Sequence, residues 1–588
     1  MSERVVRVLP DVPAIDRAFD YQVPAALGHR VHVGTIVRVS LHGRRVRGWV
    51  VATDVTPVAG VELRPLIRVT GFGPPLDVIE LARWARWRWA GRTAHFLRSA
   101  SPLTAVAGLP SRRRPARGSD HATGLAAILA REGLAKRRAV VRLPPADDVL
   151  PAIHVAAALG PTLVVAPSSA LAGEVTRRLR QEGTDCALVP QAWAQAAAGV
   201  PVVVGARGAA WAPVVDLAAV VVLDEHDEAH QGESSPTWSA RDVAAERARH
   251  AGAACLWLSP CPSLEALDWA PLVSPSRVEE RNGWPVVDVV DRRREEPLRA
   301  GLYSPRLVDA LRRAAADHDQ SGGPRAVCVL NRKGRSALLA CGGCAEVARC
   351  ARCQAAVGAG DAATLACRRC GKTRPSLCLA CGSTRLKLLR PGVRRVREEL
   401  ERLVGVPVAE VTGADAAGAV PAVPILVGTE AVLHRQLRPR VVAFLDLDAE
   451  LLAPRYRAAE QALALVARAA RMLGDRTGGG RLLLQTRLPG HEVVQAALHA
   501  DPGRVAAVES ERRRALRFPP AAAIALVSGP PAFDYVTGLR TGHGVEVLGP
   551  VDDRWLIRAP DHTTLCDALA AVPRPPGRLR VAVDPLRI

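Results

Sequence analysis

The chain has 588 residues, with 79 Lys+Arg against 58 Asp+Glu, a formal net charge of +21 and an isoelectric point near 10.4. At roughly 100 to 200 residues per domain, this length implies three to five domains, each able to bury its own core. The charge is spread along the whole chain and points to a polyanion, nucleic acid before anionic membrane. No apolar run is long enough to span a bilayer and MSERVVRVLPDVP carries no apolar leader, so a soluble, cytoplasmic protein without membrane contact is expected.

Residues 1–108 open with alternating segments (RVVRVLPDVP, RVHVGTIVRVSL, RRVRGWVVA), expected as a small β-rich domain that closes with a helix around DVIELARWARWRWAG. In that helix Trp84 and Trp87 are three apart, the spacing of a packed face rather than of a base-stacking platform. Residues 109–135, with SRRRPARGSDHATG, read as a basic linker. From 136 to 295, short apolar runs (AVVRL, TLVVAP, PVVVGA, AAVVVLDE, ACLWLSP) alternate with Ala/Arg-rich helical stretches, the pattern of a parallel α/β lobe. A second such lobe is expected over 296–510, interrupted by a cysteine-rich insert at 341–382, and 511–588 reads as a small α+β domain. The fold class is therefore multidomain α/β, with a β-rich N-terminal domain, two parallel-sheet lobes and a small C-terminal domain.

Eight of the thirteen cysteines lie within 41 residues, as CGGC (Cys341, Cys344), CARC (Cys350, Cys353), CRRC (Cys367, Cys370) and CLAC (Cys378, Cys381). Two thiolates at that spacing share one turn and supply half of a tetrahedral Zn²⁺ shell, so four pairs make two closed Cys₄ sites. Disulfides are disfavoured in a large chain without a leader. Spacing leaves open which pairs share a metal. Cys186, Cys255, Cys261, Cys328 and Cys566 are scattered, as buried residues are.

VVLDEHDEAH, residues 221–230, is a strand ending in Asp224, Glu225 and His226. Nucleoside triphosphatases use such an acidic end to hold Mg²⁺ and to orient the attacking water. Its partner would be a glycine-rich loop with Lys and Ser/Thr after the first strand of the lobe. There the chain reads RLPPADDVL: Pro144 and Pro145 remove N–H donors, glycine is absent, and Asp147 and Asp148 repel phosphate. The chain has four lysines, Lys136, Lys333, Lys372 and Lys387; the Gly371–Lys372–Thr373 triplet falls inside the cysteine cluster. His226 and His230 are four apart, but HDEAH lacks the order of a zinc-protease helix.

PVVVGARGAAWAPVVDLAAVVVLDEHDEAH, the cysteine insert after AVCVLNRKG, LDLDAELLAPRYRAAEQAL, ERRRALRFPP and the N-terminal RVLPDVPAIDRAFDYQVP together resemble the PriA family of primosomal replication-restart proteins, nearly end to end. The resemblance implies two RecA-like helicase lobes of a 3′ to 5′ DNA helicase that recognises stalled forks and loads the replicative helicase. It implies metal sites Cys341, Cys344, Cys378, Cys381 and Cys350, Cys353, Cys367, Cys370, each with Zn²⁺. It also implies a 3′-end pocket at Phe19, Asp20, Tyr21, Gly43 and Arg64, in residue types that suit stacking, hydrogen bonding, close approach and phosphate pairing. On spacing alone that stretch would read as hairpin core. Residues 109–135 are too short for the family's winged helix, of which they are at most a remnant.

The departures fall where the chemistry lies. The Gly-Lys-Thr loop is replaced, the Ser-Ala-Thr motif reads Ser259, Pro260, Cys261, the Lys-Gly-His-Asp segment reads Leu433, His434, Arg435, Gln436, and the Gly-Arg-Ala-Gly-Arg motif is broken into Arg468, Ala469, Ala470, Arg471, Met472. Displaced arginines are not expected to act as fingers, and Asp224, Glu225 and His226 read as vestigial. The expected function is a replication restart factor that recognises abandoned forks and promotes helicase reloading without unwinding DNA. Its expected cofactors are two Zn²⁺, with ATP in doubt. Its expected partners are forked DNA, primosome proteins and the replicative helicase, with single-stranded DNA-binding protein a further candidate, and the chain itself is expected as a monomer. The alternatives are a residual ATP-dependent 3′ to 5′ helicase and a zinc-ribbon protein acting on RNA.

Overall fold

The computed structural model describes residues 4–12, 15–57, 62–111, 122–293, 302–316, 323–330, 339–344, 346–360, 364–388, 393–411, 421–540 and 544–588. The arginine run at 112–114 and the rest of residues 112–121 of the expected linker lie outside the described residues, as does Lys333.

Near the N-terminus five strands form an antiparallel sheet, in the order Phe19–Gln22, Val5–Pro10, Arg44–Thr53, Ile36–Leu41, Arg68–Gly71. Alternation sends Val6, Val8, Val37, Val39 and Val50 to one face with Tyr21, and Leu9, Ile36, Trp49 and Val51 to the other, where helices Leu76–Arg88 and Thr93–Ala100 cover them. The fully buried tryptophan of the expected helix is Trp89, just past its C-terminus. Trp84 is half-buried with its ring edge-on to Trp89 at 5.2 Å, and Trp87 donates Nε1–H to Asp567 at 2.8 Å.

The next sheet has seven parallel strands, in the order Leu272–Val273, Arg138–Arg142, Ala254–Ser259, Ala219–Leu223, Thr162–Val165, Val202–Gly205, Cys186–Val189. Its central strands are buried on both faces, as continuous apolar runs require. The expected linker ends earlier than composition suggests. Residues Leu125–Ala135 form a helix on this sheet, with Ala126, Ala127 and Ala130 buried, and Gly133 placed where a Cβ would lie 2.8 Å from the Leu256 side chain.

A second parallel sheet runs Val286–Asp291, Arg481–Thr486, Val441–Phe444, Ala326–Val329, Ile425–Gly428, Val408–Val411. Strand Val286–Asp291, expected in the first lobe, pairs along its whole length with Arg481–Thr486 and so belongs here. Helix Gly503–Leu516, expected to open the C-terminal domain, packs on helices Glu492–His499 and Ala458–Leu473 of this lobe. The C-terminal sheet is antiparallel, in the order Glu546–Val551, Arg554–Ala559, Ala523–Ser528, Arg580–Val583, with helices Ala532–Leu539 and His562–Ala571. Buried contacts join the parts: Arg88 pairs with Asp584 at 2.6 Å, and Trp193 donates to the Ala100 carbonyl at 2.9 Å. Among the described residues no helix is long and apolar enough to cross a membrane.

Candidate functional site

Strand Ala219–Leu223 delivers Asp224, at φ +47°, and Glu225 to the face where the two lobes meet. Asp224 does not point into open space: both oxygens accept from Arg471 of the second lobe, each at 2.6 Å. Arg468, one turn earlier on helix Ala458–Leu473, pairs with Asp227 and lies 3.0 Å from His434 Nε2. Burial alone would raise the Asp224 carboxyl. Arg471 outweighs it and, with His226 and Arg468 behind, holds the group well below the usual carboxylate range. Burial lowers His226 to about 4 against the pull of Asp224 and Asp227, so it is neutral, and its Nδ1 pairs with Ser259 Oγ at 2.8 Å.

Glu225 is fully buried. It accepts from the Ser263 N–H (2.8 Å), Ser263 Oγ (2.9 Å) and Arg241 Nη1 (3.1 Å). Burial pushes its carboxyl above its ordinary value despite Arg241.

The loop that would cradle phosphate is committed elsewhere. Ala146 N–H donates to the Gly283 carbonyl (3.1 Å), Asp147 N–H to the Pro144 carbonyl (3.1 Å), and Leu150 N–H to Asp148 (3.1 Å), which Arg178 clamps at 2.6 Å. Pro144 presses so closely on Gly283 that a Cβ there would lie 2.3 Å from it. Arg471 Nε also donates to the Pro145 carbonyl at 3.3 Å. Mg²⁺–nucleotide does not fit these residues: the phosphate donors are taken and a guanidinium sits on the metal-binding carboxylate.

The cysteine insert is the reverse. Cys341, Cys344, Cys378 and Cys381 form one group and Cys350, Cys353, Cys367 and Cys370 another, with sulfurs within 4.8 Å of one another in each. The closest pairs, Cys341–Cys381, Cys344–Cys378, Cys350–Cys370 and Cys353–Cys367, are at 3.5 Å. A tetrahedral site with metal–sulfur bonds of about 2.3 Å places sulfurs ~3.8 Å apart, so both groups can hold a metal ion. Three of the turns end on a left-handed residue, Gln354, Gly371 or Gly382, whose N–H returns to the carbonyl of the first cysteine. The Gly-Lys-Thr triplet is thereby accounted for: its glycine closes a metal turn.

The five expected 3′-end residues are only partly brought together. Tyr21 Oη donates to the Ser40 carbonyl (3.0 Å) and Arg64 Nη1 to Ser40 Oγ (3.2 Å), beside the hairpin in which Gly43 takes φ +76°. Phe19 is half-buried with the Arg17 guanidinium 4.7 Å above its ring. Asp20 points to the opposite face of the strand, where Arg7 occupies both its oxygens at 2.7 and 3.1 Å. Arg241, Ser263 and Arg7 were missed from the sequence, and Arg468 and Arg471 were read there only as displaced fingers; their partners lie far away in the chain or on a neighbouring strand.

Two parallel-sheet lobes meeting at an acidic strand end, a double Cys₄ insert and a separate β-rich N-terminal domain define a helicase-like, metal-binding protein. The family described as the 3′ DNA-binding domain (3′BD) matches residues 7–102. The probable replication restart protein PriA of Mycobacterium leprae is 30% identical over 630 residues, covering 96% of this chain and 94% of that protein. That of Mycobacterium tuberculosis H37Rv is 29% identical over 609 residues, covering 92% and 90%. The chain belongs to the PriA family of replication restart proteins. Among solved structures, yeast Dbp5 bound to RNA and ADP BeF3 aligns with 67% of this chain and 99% of its own at 9% identity and a TM-score of 0.35, a likeness on which nothing here rests.

Proposed function

We propose that this protein recognises branched DNA at abandoned replication forks and promotes reloading of the replicative helicase, without an ATP-driven motor of its own. Family membership and the 3′ DNA-binding domain support the fork reading. Tyr21, Arg64 and the Gly43 hairpin are the proposed seat of the 3′ end, with Phe19 as its stacking face. Asp20 would contribute only if it exchanged Arg7 for the terminal nucleotide. The two Cys₄ groups would hold Zn²⁺ and make the insert a platform for primosome partners, the chain acting as a cytoplasmic monomer.

The observation that separates this reading from a residual helicase is the bidentate Arg471–Asp224 pair across the cleft. A closed helicase cleft is normally bridged by Mg²⁺–nucleotide; here the chain's own guanidinium takes that place. The decisive experiment compares DNA-stimulated ATP hydrolysis with fork binding by the same zinc-loaded protein at stated salt. Binding of a fork with a free 3′ hydroxyl, several-fold tighter than a 3′-blocked fork, is expected with no turnover above background. Turnover abolished by Glu225→Gln would return the chain to the helicases, and equal affinity for fork and linear duplex would refute fork recognition.

A further inference from the structure

On the second lobe, away from the cleft, a concavity of about 480 Å³ opens beside the first residues of strands Val441–Phe444 and Arg481–Thr486. Arg306, Arg313, Arg440 and Arg481 line it, and among the described residues Asp288 is its only acid. Four guanidiniums against one carboxylate leave a net charge of +3 in a single hollow, an arrangement of like charges that destabilises the free protein unless an anion visits it. Asp288 organises the arginines rather than neutralising them: one oxygen accepts from Arg306 (2.9 Å), the other from Arg481 (2.8 Å). Each guanidinium has five N–H donors, and the Arg306 and Arg481 side chains are 58% and 56% exposed, so most of their donors face solvent. Arg440 is tied to the turn by a bond to the Gly478 carbonyl (2.7 Å), and Arg313 projects from helix Pro305–Ala316 into the same hollow.

The geometry points to a phosphodiester-binding site that holds the backbone of a duplex arm, a second DNA contact separate from the 3′-end surface. Guanidinium forks match phosphate oxygens in charge and shape. Among the described residues the rest of the lining is Ala310, Ala314, Val441, Leu483 and Gly479, which offer no aromatic face, and both Asp288 oxygens already accept from arginine. The site therefore reads phosphate and not sequence, which suits nucleic-acid backbone better than a free nucleotide.

This inference rests on the proposal that DNA is the partner, and its test separates the two. Full-length, zinc-loaded protein and its Arg306→Ala/Arg313→Ala variant are titrated with a blunt linear duplex and with forks carrying a free or blocked 3′ end, over 50 to 300 mM salt. The slope of log affinity against log salt should fall by about 2 and affinity at 150 mM by about tenfold or more, for every sequence, while the free-to-blocked 3′ ratio stays unchanged. Arg313→Ala alone, which breaks no carboxylate pair among the described residues, should lower the slope by about 1. An unchanged slope in both variants overturns the site. So does protection of the wild type, but not the variant, by inorganic phosphate or nucleotide without any change in duplex binding, which would mark a small-molecule phosphate site. A free-to-blocked ratio of one in the wild type refutes 3′-end recognition while leaving the slope to report on this hollow.

Discussion

Two places in this molecule are shaped for a divalent metal, and they have gone opposite ways. In the cysteine insert all eight ligands converge in two groups, and left-handed turn residues hold three of the pairs in place. In the inter-lobe cleft the acidic strand end is intact, yet Asp224 is closed by Arg471 and Glu225 by Arg241 and Ser263. A short ligand spacing survives because it is encoded within one turn. A motor site is assembled from segments far apart in the chain, and on the proposed reading the loss of its loop would leave carboxylates that the rest of the chain has to neutralise.

The largest effect is expected at the insert. Chelation, or Cys350→Ser with Cys353→Ser, should remove metal binding worth on the order of 10 kcal/mol and unfold the insert, read as new proteolytic cleavage within residues 339–388 and loss of bound metal. Should the lobes' melting transition move as far as the insert's, the contrast between a separable metal domain and a fused cleft would fail.

Next comes Arg241→Ala, which strands a fully buried Glu225 and should cost about 3–5 kcal/mol in denaturant unfolding, with Glu225→Gln/Arg241→Leu recovering much of it. Arg471→Ala should cost less, because its side chain is 40% exposed, and a double-mutant cycle with Asp224→Ala should give a coupling of about 1–3 kcal/mol. A coupling near zero would show that the lobes do not depend on this bridge.

A smaller effect concerns acid. The His226 value is lowered on folding to about 4 from an ordinary value near 6.5. Below 6.5 the unfolded chain binds a proton that the folded one refuses, so stability present above that pH is lost as pH falls toward 4, by at most about 3 kcal/mol. His226→Gln should flatten that part of the pH–stability curve, leaving the share from His230, which burial lowers in the same direction. An unchanged slope would place the acid response outside the cleft. The smallest effect is Tyr21→Phe: loss of the bond to the Ser40 carbonyl should cost about 1 kcal/mol and loosen the 3′-end hairpin, measured as a reduced preference for free over blocked 3′ ends.

The metal ligands and the alternation of apolar strands with helices were legible because both are local patterns. Sheet membership was not: Val286–Asp291 follows the first lobe in sequence but pairs with Arg481–Thr486, across a crossover that no local signal encodes. Helix Leu125–Ala135 was hidden because, apart from Leu129 and Leu134, its packing face is Ala and Gly, in a chain rich in Ala everywhere. The arginines show the limit most clearly. Arg468 and Arg471 sit one position from where the family's finger arginines fall, and one residue turns a helical side chain by about 100°. Reading that shift as a loss was reasonable, yet the same rotation points both side chains at Asp227 and Asp224, 241 and 247 residues earlier.

If the phosphate loop has been lost, as proposed, the contact of Pro144 with Gly283 would make that loss hard to reverse. A phosphate loop grafted onto residues 143–150 would lose the bond that ties Ala146 to the Gly283 carbonyl and the proline that fills the hollow over that glycine. It would also meet a guanidinium already seated on Asp224. On the proposed reading, each loop residue introduced alone is expected to make the protein less stable before nucleotide can bind.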